Sequence, residues 1–67
     1  MNVNIEELLL LADTEQWSIP KLADNLGVEY SYLHRVIKGK KNGGGKLFKG
    51  IYQLCINKNL DVGRFLF

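Results

Sequence analysis

Residues 18–39 read SIPKLADNLGVEYSYLHRVIKG, and this stretch decides the fold. Ser18 can cap a helix, and Pro20 is tolerated in its first turn because a missing N–H costs no hydrogen bond there. Gly27 can end that helix in a left-handed conformation. A second helix follows over residues 29–38. The stretch therefore predicts two short helices joined by a tight turn.

The second helix has two different faces at 100° per residue. Leu33, Val36 and Ile37 share an apolar face, and Tyr30 and Tyr32 lie on its flanks. The opposite face carries hydrogen-bonding and cationic side chains: Ser31, His34, Arg35 and Lys38. We expect the apolar face to pack on a core and the polar face to meet a partner.

Helical spacing predicts three further helices. The first follows Asn4, a typical cap residue, and its apolar stripe consists of Ile5, Leu8, Leu9 and Ala12. Residues 40–45 are expected to form a basic, glycine-rich loop, since glycine loses much entropy in regular structure. A fourth helix over residues 46–58 and a last short helix capped by Asp61 complete an all-α domain.

Composition limits the function. A chain of 67 residues is one domain with a small core. One cysteine, Cys55, excludes an intramolecular disulfide, and one cysteine with one histidine is too few ligands for zinc. We expect no metal, cofactor or small-molecule ligand. No apolar run approaches the roughly 20 residues of a membrane span, and a lone thiol fits a reducing cytoplasm.

The charges are distributed unevenly. Residues 1–29 carry six acidic side chains and one cation, Lys21. Residues 30–60 carry no acidic side chain and these cations: Arg35, Lys38, Lys40, Lys41, Lys46, Lys49 and Lys58. The asymmetry indicates either a surface for a polyanion or a solvated basic face.

Particular residue types stand around the turn, namely a small residue at 23, glycine at 27 and an apolar residue at 28. The full pattern consists of Ser18, Leu22, Ala23, Leu26, Gly27, Val28, Leu33, Val36 and Gly39. In these residues the chain resembles the lambda-repressor/Cro-type helix-turn-helix family (XRE family) of bacterial and phage regulators. The tail, LFKGIYQLCINKNLDVGRFLF, is similar to the end of that domain. Ile19 departs from the polar residue usual at its position.

The resemblance implies a compact five-helix, lambda-repressor-like domain over residues 1–67, with the helix-turn-helix at 18–39. It implies that helix 29–38 reads double-stranded DNA in the major groove. The base-reading candidates are Tyr30, Ser31, His34 and Arg35, although Arg35 could equally hold a phosphate. The phosphate-binding candidates are Ser18, Lys21, Lys38, Lys40, Lys41, Asn42 and Lys46.

The expected function is sequence-specific DNA binding by a small prokaryotic or phage transcriptional regulator such as a repressor, in the cytoplasm and on the nucleoid. His34 has no partner nucleophile or acid, so no enzyme is expected. The alternatives are a protein-interaction module that kept the fold, such as an antirepressor or accessory factor, and nonspecific nucleic-acid binding.

The family usually works as a symmetric dimer, so a homodimer is also expected. The self-association candidates are Leu10, Leu11, Phe65 and Phe67. Leu10 and Leu11 fall outside the apolar stripe of the first helix, so they either widen its buried face or contact a partner. For the C-terminal phenylalanines, the other reading is that they pack the last helix onto the first.

Overall fold

The computed structural model describes residues 2–40 and 43–67 and is built from helices. Four α-helices follow one another along the chain: α1 (Ile5–Glu15), α2 (Ile19–Leu26), α3 (Tyr30–Ile37) and α4 (Gly45–Lys58). A 3-10 turn, Val62–Arg64, follows α4. The predicted all-α class is confirmed.

The predicted fifth helix is wrong, because the chain after α4 makes one turn and then pairs with the N-terminal segment. Asp61 caps the 3-10 turn with its side chain, as predicted. Beyond the turn, the carbonyl of Phe65 accepts a hydrogen bond from the Asn4 N–H at 2.7 Å. Leu66 forms an antiparallel β-bridge with Val3. Backbone groups used in this pairing are not available to continue a helix.

The helix ends use the residues that the sequence predicts. The Asn4 side chain accepts a hydrogen bond from the Glu7 N–H at 3.2 Å, at the start of α1. The Ser18 hydroxyl accepts one from the Lys21 N–H at 3.3 Å, at the start of α2. Gly27 ends α2 with φ at 71°, in the left-handed region that favours glycine. These contacts fix the lengths of the first two helices.

The core lies around α2, which contacts both α3 and α4. Leu22 and Ala23 of α2 are buried, and Val28 fills the turn behind them. The largest fully buried side chains come from every α-helix and from the C-terminal segment: Leu8, Leu22, Leu33, Leu47, Ile51, Cys55 and Phe65. The buried face of α3 is therefore fixed against a core to which the whole chain contributes.

A close contact between α2 and α4 occurs at Gly50. A Cβ atom added there would lie 2.0 Å from the backbone oxygen of Leu26, well inside the 3.0 Å that real Cβ atoms keep. Only glycine allows α4 to cross α2 at this distance. Sequence reasoning missed this role, although an isolated glycine inside a helical pattern is a signal for close backbone approach.

Two of the predicted self-association residues belong to the core, so their assignment is wrong. Leu11 is 5% exposed and Phe65 is 1% exposed, which leaves no surface for a partner. Leu10 and Phe67 are 48% and 69% exposed. Leu11 thus widens the buried face of α1, whereas Leu10 points to solvent.

The contact at Gly50 predicts a large effect of a single methyl group. Gly50→Ala should lower the free energy of unfolding by about 3 kcal/mol or more, because the added methyl must push two helix backbones apart. Gly45→Ala is the matched control: it lies in the same helix, and an added Cβ there meets nothing within 4 Å. It should raise stability by up to about 1 kcal/mol. Urea unfolding followed by circular dichroism measures both, and equal stabilities would contradict the contact.

Cys55 predicts a pH dependence of stability. The thiol lies in the core, and burial, with a smaller contribution from the charge of Asp61, raises its pKa. The unfolded chain therefore loses this proton at a lower pH than the folded chain. The contribution of the thiol to the free energy of unfolding is fully present below the pKa of Cys55 in the unfolded chain. It is lost as the pH rises towards the pKa of Cys55 in the folded chain.

Above about pH 9, the free energy of unfolding of the wild-type chain should fall more steeply with pH than that of Cys55→Ala. The difference in slope is at most about 1.4 kcal/mol per pH unit, the limit for one proton. Urea unfolding of both chains from neutral to alkaline pH measures it. Parallel curves would show that the folded and unfolded thiols share one pKa.

Candidate nucleic-acid interface

The outward face of α3 presents the predicted contact residues. Leu33 and Val36 are buried in the core. The four base-reading candidates are all exposed: Tyr30, Ser31, His34 and Arg35. The two faces predicted from helical periodicity are confirmed. Packing holds α3 from behind, and its polar face is open to solvent.

α3 begins and ends one residue inside the predicted range 29–38. Glu29 is its N-cap residue, and within the described ranges the side chain of Glu29 makes no capping hydrogen bond. Lys38 is the C-cap residue, and Gly39 follows with φ at 77°. The eight residues of α3 span about 12 Å. All four base-reading candidates remain on the helix.

Two aromatic rings lie side by side on the exposed side of α3, one in its first turn and one in its second. The ring centroids of Tyr30 and His34 are 5.7 Å apart, with 44° between the ring planes. The two residues are one helical turn apart, so the rings form one continuous surface. This surface offers a phenol hydroxyl and two imidazole nitrogen atoms as hydrogen-bonding groups.

Tyr32 has a structural role at the flank of α3. Its ring is half-buried against the core. Its hydroxyl accepts a hydrogen bond from the Gly44 N–H at 2.9 Å. Gly44 is the N-cap residue of α4, so this bond ties the side of α3 to the start of α4. Sequence reasoning placed Tyr32 on a flank but could not identify Gly44 as its partner.

The cations of the chain fall into two groups. Lys58 is paired with Glu15 at 2.7 Å, and Arg64 is paired with Glu7. Residues 2–40 and 43–67 contain these two ion pairs and no others. Neither pair includes a cation of residues 18–49. The exposed cations outside these pairs are Lys21, Arg35, Lys38, Lys40, Lys46 and Lys49. None of these six cations forms an ion pair with a carboxylate of the described residues.

The phosphate-binding candidates are spread over three elements. Ser18 and Lys21 lie at the start of α2, and the Ser18 hydroxyl already accepts a hydrogen bond from the Lys21 backbone. Lys38 and Lys40 follow α3, and Lys46 lies in the first turn of α4. All five of these residues are exposed. Two further candidates, Lys41 and Asn42, lie outside the described residues.

A shallow groove of about 380 Å³ runs between the end of α2 and the first turns of α4. Asp24, Asn25 and Gly27 line one side, and Lys46 and Lys49 line the other. Lys49 was missing from the predicted contact residues. Its spacing of three residues from Lys46 was the available signal, because residues at i and i+3 share one side of a helix.

The described residues contain no group of three or more His, Cys, Asp or Glu side chains that could hold a metal ion. None of their helices has the length and apolar character needed to cross a membrane. No protein-family model, curated protein or solved structure matches the chain. The resemblance to lambda-repressor/Cro-type regulators therefore depends on the sequence pattern alone.

The bond between Tyr32 and Gly44 predicts a local effect. Tyr32→Phe removes the acceptor and should speed hydrogen exchange at the Gly44 amide, with a loss of about 0.5–1.5 kcal/mol of stability. Tyr30→Phe makes the same chemical change on an exposed ring and is the control. NMR hydrogen exchange measures the Gly44 amide in both variants. Equal exchange rates would contradict a role for the Tyr32 hydroxyl.

Proposed function

We propose that this chain is a sequence-specific double-stranded DNA-binding regulator of the lambda-repressor/Cro type. The observation that carries the proposal is the position of α3. Its apolar side is fixed in the core, its polar side is exposed, and the cations around it have no carboxylate partner in the described chain. Such a helix is suited to reading base edges, which present hydrogen-bonding groups in the major groove.

The dimensions of α3 support this proposal. A helix of about 12 Å fits the major groove, which is also about 12 Å wide, and its N-terminal half approaches the bases. Tyr30 and Ser31 lie in that half, and His34 follows in the next turn; all three supply donors or acceptors. Arg35 is one residue further and can bind guanine with two hydrogen bonds. Specificity is therefore assigned to this face of α3.

Affinity is assigned to the lysines around α3. Lys21, Lys38 and Lys40 are exposed on both sides of the helical pair. Phosphate contacts by such lysines orient a protein on the duplex without reading its sequence. Of the acidic residues, Glu7 and Glu15 are paired with Arg64 and Lys58, whereas Asp24 and Glu29 lie close to the turn in the sequence.

The finer fold assignment is part of the same proposal. The order of α2, turn and α3, with Ala23 buried and Gly27 left-handed, supports a helix-turn-helix. The 3-10 turn Val62–Arg64 then takes the place of the family's fifth helix. A regulator of this type works in a bacterial cytoplasm or on a phage genome in an infected cell, bound to the nucleoid.

Of the four predicted self-association residues, only the exposed ones can contact a second copy of the chain on DNA. Leu10 and Phe67 remain as candidates for contact between two copies. The second candidate function, a protein-interaction module, is favoured by the exposed apolar side chains of Leu10, Tyr52, Ile56 and Phe67. That function requires these side chains and tolerates changes on the exposed face of α3.

DNA binding is tested by two arginine variants that lose the same charge. A preferred site is first selected from random duplex DNA, and its affinity is then measured by fluorescence anisotropy. Arg35→Gln should weaken binding to that site by about 1–3 kcal/mol, which raises Kd roughly 5- to 150-fold. Arg64→Gln should leave Kd within about twofold, because Arg64 is paired with Glu7 away from α3.

Equal losses in the two arginine variants would show that net charge alone matters, which favours nonspecific binding. Absence of binding to any duplex at low salt would contradict the proposal, because phosphate contacts are strongest there.

A further inference from the structure

The groove between α2 and α4 carries two cations and one acidic residue, Asp24, among apolar atoms. Two lysines, Lys46 and Lys49, line it on the α4 side, and the amides of Asn25 and Gln53 line it as neutral hydrogen-bonding groups. We propose that this groove binds the phosphodiester backbone of the duplex whose bases α3 contacts. This inference depends on the proposed DNA-binding function and adds Lys49 to the residues that carry it.

The missing side chain at Gly50 lets α4 lie close beside the end of α2, where the groove is found. Gly50 lines the groove together with Leu26 and Gly27, at the point where α4 crosses α2. The close crossing brings the first turns of α4 beside the end of α2. A polymer backbone can reach such an open surface groove without any movement of the helices.

The charges of the groove match a phosphate backbone. Lys46 and Lys49 are three residues apart on α4, which places their Cβ atoms about 5–6 Å from each other. Neither lysine is in an ion pair within residues 2–40 and 43–67. The Asn25 amide donates one hydrogen to the carbonyl of Lys21 at 2.9 Å, and an amide carries a second hydrogen. Two cations with neutral donors beside them suit phosphate oxygens.

The segments that border the groove are joined to α3 at both of its flanks. Gly27 lines the groove and belongs to the turn that leads into α3. On the other side, Gly44 at the start of α4 donates a hydrogen bond to Tyr32 of α3. The proposed contact requires the DNA strand beside α3 to pass over Lys46 and Lys49.

Asp24 gives the proposal a distinctive test, because its carboxylate lines the same groove. A phosphate in the groove is repelled by Asp24 and attracted by the lysines. Removing the carboxylate should therefore strengthen DNA binding, whereas removing either lysine should weaken it. A groove that makes no phosphate contact predicts that Lys49→Gln leaves the salt dependence of DNA binding unchanged, whatever Asp24→Asn does.

The experiment measures the salt dependence of binding to duplex DNA by fluorescence anisotropy, with the full chain and a random-sequence duplex as the probe. Lys46→Gln and Lys49→Gln should each lower the slope of log Kd against log salt by about 0.9, the value for one phosphate contact. Asp24→Asn should lower Kd by about two- to fivefold. Lys58→Gln is the control, since it loses the same charge at a lysine already paired with Glu15.

The outcomes separate the two proposals. A reduced slope for Lys49→Gln, with a wild-type slope for Lys58→Gln, supports the groove contact. A wild-type slope for Lys49→Gln, or weaker binding by Asp24→Asn, overturns the groove contact and leaves DNA binding through α3 standing. A wild-type chain that binds no duplex contradicts the proposed function and the groove contact together. Circular dichroism of each variant establishes that it is folded.

Discussion

The close crossing of α2 and α4 is the constraint on which the rest of the structure depends. At Gly50 the two helices approach so closely that a single Cβ atom would overlap the carbonyl oxygen of Leu26. Because α4 is held there, the side chains of Leu47 and Ile51 are completely buried. α2 also contacts α3. The Gly50 contact therefore fixes α4 on α2, and α3 packs on the same helix α2.

The cations on the surface fall into two groups, those in ion pairs and those outside them, and the two groups have different roles. The ion pairs of Lys58 with Glu15 and of Arg64 with Glu7 join α1 to the C-terminal part of the chain. These cations stabilise the fold modestly, as exposed pairs do. The described cations between residues 21 and 49, which exclude Lys41, form no such pairs among residues 2–40 and 43–67. Unpaired like charges on a small domain repel one another, and a polyanion would relieve this repulsion.

Sequence reasoning predicted the parts of the fold that local chemistry determines. The caps at Asn4 and Ser18, the left-handed Gly27 and the two faces of α3 are each specified by residues within one or two turns. Contacts between distant residues were not predicted. The partner of Gly50 is 24 positions away, and the segment after Arg64 pairs with the N-terminus across the whole chain. Periodicity carries no information on such contacts, so the role of Phe65 was left open between a partner contact and core packing, and a fifth helix was expected.

The bridge between Val3 and Leu66 has a consequence for the order of folding. It closes a loop of almost the whole chain, whereas the contact between α2 and α3 joins neighbouring helices. Local contacts cost little loop entropy and form early, and contacts of long sequence separation form late. We therefore expect the helical core to assemble before the two ends meet. Interactions that form after the transition state slow unfolding when they are present in the folded chain. We therefore expect the pairing of these two segments to lower the rate of unfolding.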